Sequence, residues 1–121
     1  DAVGRGAAQF HLALAAGLAH DVKNLVQAVR SQDLVARFGG EEFIMLLRGT
    51  TLEEARAIME RIRQLVEQHS FLYQQQTITV TISLGLTPYQ MSYRCMDDWL
   101  LCVDQRLYEA KRTGKNRTCI T

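Results

Sequence analysis

Two runs with strand periodicity, Leu34-Val35-Ala36-Arg37-Phe38 and Phe43-Ile44-Met45-Leu46-Leu47, stand on either side of Gly39-Gly40-Glu41-Glu42, and no other stretch constrains the fold as much. The first alternates as a half-buried strand does. The second is wholly apolar and reads as a mostly buried strand. A Gly-Gly pair between strands supplies positive-φ backbone that a bulky residue could not hold, so the chain doubles back in a tight hairpin. With no side chain over the turn, a large planar or phosphorylated ligand can approach the backbone. Carboxylates fixed beside that opening can hold Mg²⁺, which takes oxygen ligands and commonly bridges to substrate phosphates. The same residues also fit a surface hairpin with two solvated glutamates, and residue chemistry alone leaves both readings open.

A chain of 121 residues with 47% hydrophobic content fits one domain with a single core. Its formal net charge of +1 gives no reason to expect DNA, RNA or an anionic membrane as a general partner. No apolar run is long enough to span a bilayer and no signal-like segment opens the chain. Cys95, Cys102 and Cys119 lack CxxC spacing and a matching histidine cluster, so they read as reduced thiols of a cytoplasmic protein rather than zinc ligands. The first residue is Asp rather than Met, which suggests a piece of a longer protein whose other parts could anchor it to a membrane.

From about Ala8 to Val29 the spacing of Leu14, Leu18, Val22, Leu25 and Val29 predicts a helix. Thr51-Leu52-Glu53-Glu54 is a capping-box pattern opening a second helix, with Ala55, Ile58, Met59, Ile62, Leu65 and Val66 as its apolar stripe to about His69. Ile78, Val80, Ile82, Leu84 and Leu86 alternate with small polar residues as a strand with one apolar face, ended by Pro88. Asp97 or Asp98 is expected to cap a last helix through Leu100, Val103, Leu107 and Ala110, stopping at Gly114. A short strand from Thr118 to Thr121 follows. Helices interleaved with hairpins argue for an α/β sandwich around a mixed, largely antiparallel sheet.

The stretch Arg37-Phe38-Gly39-Gly40-Glu41-Glu42-Phe43 resembles the signature of the GGDEF family of diguanylate cyclases in its GGEEF form. Other matches follow in order. Arg30-Ser31-Gln32-Asp33, with five residues between Asp33 and Gly39, resembles the family's RxxD product-inhibition motif. Thr79 to Leu86 is similar to a family strand, and Asp104 to Arg117, containing Leu107-Tyr108-Glu109-Ala110-Lys111 and Gly114-Lys115-Asn116-Arg117, to its closing segment. The resemblance covers roughly Arg30 to Arg117 of one partial domain, with residues 1–29 helical and divergent. It implies an α+β, ferredoxin-like nucleotidyl-cyclase palm.

The resemblance implies condensation of two GTP into cyclic di-GMP and pyrophosphate, with Mg²⁺ or Mn²⁺ as cofactor, in a homodimer controlled by an upstream sensory domain. Glu41 would support the metal and act as base beside Glu42, while Gly39 and Gly40 let the nucleotide lie across the turn. Lys111 and Lys115 match phosphate-contacting positions; two cations four residues apart at a helix end also read simply as a solvated basic terminus. Arg30 and Asp33 would grip cyclic di-GMP, the planar guanidinium binding bidentately, with Arg61 completing that inhibitory site from a second molecule. An i,i+3 salt bridge is the plainer reading of Arg30 and Asp33.

The family's preceding strand, which carries a metal-binding Asp, is not recognisable here. Two registers fit the segment before Arg30. One sets Gln9, the other Ala15, where the family has a guanine-reading Asp. Without the strand the sheet is expected to lack its central member and expose an edge prone to association, and the fragment alone is expected to be inactive. The alternatives are a catalytically degenerate receptor for cyclic di-GMP and a dimerisation module. His20, within Ala19-His20-Asp21-Val22-Lys23-Asn24, also resembles a histidine-kinase phosphoacceptor box, but no ATP-binding boxes accompany it.

Overall fold

The structure is a computed structural model that describes residues 10–16, 34–39 and 42–121. Its main sheet has five strands: β1 (Phe10–Ala16), β2 (Leu34–Gly39), β3 (Glu42–Arg48), β6 (Ser83–Pro88) and β7 (Thr118–Ile120), in the order β2-β3-β1-β6-β7. All neighbours are antiparallel except β6 and β7, which run parallel. A separate hairpin pairs β4 (Phe71–Tyr73) with β5 (Gln76–Ile78). Helix α1 (Leu52–Gln68) covers one face of the sheet and helix α2 (Met96–Arg112) the other. This is the mixed, largely antiparallel α/β sandwich that the sequence predicts.

Strand β3 shows why the layers hold. Phe43, Met45 and Leu47 point to the α1 face, meeting Ala55, Met59, Ile62 and Val66. Ile44 and Leu46 point the other way, beside the cluster that α2 forms through Trp99, Val103 and Leu107. Both faces are thus covered, and a strand so placed loses its polar alternation. Gly85 brings α2 close: a Cβ there would lie 2.5 Å from the Leu107 nitrogen and 2.6 Å from the Val103 oxygen. The parallel step from β6 to β7 uses α2 as its crossover, the usual solution for parallel neighbours.

Several expectations need correction. Residues Phe10–Ala16 are not helical; they form β1, at the centre of the sheet the sequence was expected to leave without a middle strand. Leu12, Ala13, Leu14 and Ala15 are all buried. With both faces covered, Phe10-His11-Leu12-Ala13-Leu14-Ala15-Ala16 carries no period-two signal, and helix-favouring alanines yielded to tertiary packing. The rest of the predicted helix, including His20, and Gln9 of one alternative register lie outside the described residues, whereas Ala15 of the other is a buried residue of β1.

The strand predicted from Ile78 to Leu86 is interrupted. Residues Gln76–Ile78 belong to the small hairpin and β6 begins at Ser83. Nor does β6 have a polar face: Ser83, Gly85 and Thr87 are buried as fully as Leu84 and Leu86. Cys95, not Asp97 or Asp98, occupies the N-cap of α2, and it makes no side-chain capping bond. Asp98 instead accepts from the Arg94 backbone N–H at 2.9 Å. The capping box of α1 is as predicted. Thr51 Oγ1 accepts from the Glu54 N–H at 3.1 Å, and Glu54 Oε1 from the Thr51 N–H at 3.2 Å.

Candidate functional site

Pairing of Gly39 with Glu42 makes β2 and β3 a hairpin closed by a two-residue connection, Gly40 and Glu41. Those two residues, like Arg30 and Asp33, lie outside the described residues. Gly39 is the last residue of β2 and Glu42 the first of β3, with a register shift between Arg37 and Gly39. The hairpin therefore delivers the acidic end of the motif to one end of the sheet.

What stands beside it comes from far along the chain. Lys111 Nζ, in the last turn of α2, lies 3.5 Å from Glu42 Oε2. The alternation of β3 explains the side: Glu42 shares parity with Ile44 and Leu46, which face α2. The side chains of Lys111 and Glu42 retain 40% and 30% of their exposure, so both stay within reach of a ligand from solvent. Lys111 and Arg112 also complement the carbonyl end of α2.

Lys115 follows in the exposed turn that leaves α2. Thr113 donates from both its N–H and its hydroxyl to the Glu109 carbonyl, at 3.0 and 2.7 Å. The Lys115 N–H reaches the Ala110 carbonyl at 2.8 Å. Gly114, Lys115 and Asn116 have φ of 137°, 59° and 48°, and Arg117 O then accepts from the Leu84 N–H at 2.9 Å, tying the turn to β6.

On β1, Ala16 pairs with Glu42 on one side and Ser83 on the other. Strand β1 therefore ends beside the hairpin with the methyl group of Ala16, which offers no side-chain oxygen there. Among the described residues no group of three His, Cys, Asp or Glu side chains could hold a metal ion. Of the hairpin carboxylates only Glu42 is among the described residues, so these residues alone do not cage Mg²⁺, which would need further oxygen ligands from elsewhere.

Arg61 is exposed on α1, on the opposite face of the sheet from Lys111, and the structure does not bring the two together. Its neighbour Arg63 is the more engaged residue, and sequence reasoning missed it. Arg63 grips the Glu60 carboxylate through Nε and Nη2, lies 3.7 Å from Glu67, and donates from Nη1 to Asn116 Oδ1 at 2.9 Å. The hydrogen bond from Arg63 holds the Glu60 carboxyl below its ordinary range and raises the guanidinium in turn. The Glu60–Arg63–Glu67 spacing was the available signal. At the far end of the sheet His11 is buried, its Nδ1 3.0 Å from Thr50 Oγ1 and its Nε2 without a partner among the described residues. Burial pushes its pKa down.

Residues 16–117 match the family described as diguanylate cyclase, GGDEF domain. The chain belongs to this family. It is 38% identical over 99 residues to Diguanylate cyclase A of Treponema denticola, covering 82% of this chain and 27% of that protein. It is 37% identical over 93 residues to Diguanylate cyclase DgcP of Pseudomonas aeruginosa, covering 77% of this chain and 14% of that one. The chain thus spans about a quarter or less of the length of these relatives. Among solved structures, the active GGEEF domain of a diguanylate cyclase from Vibrio cholerae is 30% identical, with a TM-score of 0.76 over 93% of this chain and 83% of that one. The GGDEF domain of DgcB from Caulobacter crescentus, solved with c-di-GMP, shares the fold at a TM-score of 0.80 and 22% identity, covering 98% of this chain and 80% of that one. Among the described residues no helix is long and apolar enough to cross a membrane.

Proposed function

We propose that this domain binds GTP at the Gly39–Glu42 hairpin and serves a diguanylate cyclase, joining two GTP into cyclic di-GMP. The observation that carries the reading is the 3.5 Å approach of Lys111 to Glu42, a cation and a carboxylate from distant elements meeting at the mouth of a glycine hairpin. An arriving triphosphate would take Lys111 as a counter-charge. Lys115 would add a second cation, and Gly39 and Gly40 would leave the backbone open to the nucleotide. Each 3′-oxygen attacks the α-phosphorus of the other GTP, forming a P–O bond as the α–β bond breaks and pyrophosphate departs. Glu41 would take the hydroxyl proton. Mg²⁺ or Mn²⁺, held by Glu41 and phosphate oxygens, would neutralise developing phosphate charge. Two copies are required, since each brings one GTP. Arg30 and Asp33, with Arg61 of a second copy, would bind the product and slow turnover from a separate site.

A second reading has its own support. Ala16 stands beside Glu42, where a second carboxylate would be needed for an all-protein metal site. On that reading the domain binds cyclic di-GMP through Arg30 and Asp33 without synthesising it. The test is GTP turnover by the full-length protein with Mg²⁺, followed as cyclic di-GMP. Turnover lost in Glu41→Ala and Lys111→Ala supports the cyclase. Absence of turnover, with cyclic di-GMP binding abolished by Arg30→Ala, supports the receptor. Normal turnover in Glu41→Ala refutes the assignment of the hairpin.

A further inference from the structure

We propose that Asn116, clamped by Arg63 and Glu67, is a positioning residue that fixes Lys115 for phosphate contact; the inference rests on the reading of Lys115 given above. Two consecutive residues with side chains, Lys115 and Asn116, hold left-handed backbone at φ 59° and 48°. That region is sterically costly for residues with a Cβ, and Asn tolerates it better than most. Something must hold the pair there, and the contacts are specific.

The Asn116 carboxamide is used at both ends. Its Oδ1 accepts from Arg63 Nη1 at 2.9 Å and its Nδ2 donates to Glu67 Oε2 at 2.5 Å. A carboxamide accepts at one atom and donates from the other, whereas aspartate would set a carboxylate against Glu67. Arg63 is itself fixed by the forked contact with Glu60, and its side chain is only 15% exposed. From the other side, the Lys115 N–H is tied to Ala110 and its carbonyl accepts from Arg117 Nε at 3.1 Å. Lys115 is thus an exposed residue with its own N–H and carbonyl held and with a clamped neighbour in Asn116. Helix α1, on the face away from Lys111, reaches around the sheet to set a residue of the candidate site. Lysine alone, on a flexible stem in a free turn, would lose more conformational freedom on binding phosphate.

The test is equilibrium binding of a non-hydrolysable GTP analogue with Mg²⁺ to the full-length protein, alongside thermal unfolding. Asn116→Gly is the informative variant, because glycine accepts the left-handed backbone and so removes the clamp without straining the turn. We expect Lys115→Ala and Asn116→Gly each to bind roughly tenfold more weakly, with the double variant no weaker than Lys115→Ala alone. Arg63→Ala should repeat the loss and its non-additivity. Asn116→Gly should unfold within a few degrees of the unsubstituted protein. If Lys115→Ala binds as the unsubstituted protein does, or neither binds, the nucleotide reading of Lys115 fails and the inference with it. If Lys115→Ala weakens binding while Asn116→Gly and Arg63→Ala do not, or the losses add, the positioning role alone is overturned.

Discussion

The two ends of the sheet treat polar side chains in opposite ways. At one end Glu42 and Lys111 meet at 3.5 Å with 30% and 40% of their side chains exposed. At the other, His11 is buried against Thr50, and Trp99 Nε1 donates to the buried Thr87 carbonyl at 3.0 Å. Polar groups at the second end are sealed and mostly satisfy one another, so their work is done once the chain has folded. Those at the hairpin end stay solvated and can exchange a protein partner for a ligand. The contrast separates residues that hold the domain together from residues that act, and substitutions can challenge it.

The largest effect should come from the packing that both ends share. Gly85→Val places a side chain against the Leu107 nitrogen and Val103 oxygen, backbone atoms that cannot turn aside. Helix α2 must retreat, at a cost of about 3 kcal/mol, visible as a lower urea midpoint. Lys111 rides on that helix, so nucleotide binding should weaken too. Lys111→Ala should give the opposite profile: GTP-analogue binding about tenfold weaker or more, stability changed by no more than about 0.5 kcal/mol. A large loss of stability with unaltered binding would make the Glu42 contact structural and erase the contrast.

A smaller effect is expected at His11. Its folded pKa lies below the unfolded value of 6.5, so the unfolded chain takes up the proton first as pH falls. The associated stability is fully present above pH 6.5 and is lost as pH drops toward the folded pKa. Denaturation between pH 7.5 and 5 should show a decline in stability that His11→Gln removes. Coincident curves for the two proteins would refute it. The smallest effect lies outside both ends. Gln74 and Gln75 turn the β4–β5 hairpin at φ 49° and 66°, a conformation that favours glycine. Gln75→Gly should raise stability by about 0.5 kcal/mol and leave nucleotide binding unchanged.

Much of this fold was legible because several signals are local. The capping box at Thr51 and Glu54, the α1 stripe and the β2–β3 hairpin each depend on neighbours within a few residues. Strand β1 was not legible, since burial on both faces removes alternation and alanine favours helix in isolation. Gly85 stood inside a recognised motif, yet its reason, the close approach of α2, exists only in three dimensions. For the site, family spacing pointed to Glu42 and Lys111 separately, while their approach to each other is visible only in three dimensions. Arg63 was passed over for Arg61 because helical arginines look alike until their partners on other elements are known.

The placement of β1 has a temporal consequence. Its two ladder partners are β3 and β6, and Ala15 must find Leu84 across most of the intervening chain. Pairings so distant are slow to form, because the loop they close must be ordered before any contact rewards it. The middle of the sheet therefore cannot be finished until β6 has emerged, and the parallel strand β7 docks after that. A ribosome releasing this segment could let β1 pair with β3 early, but the other edge of β1 would stay open until β6 had been made, a window in which chaperones would matter most.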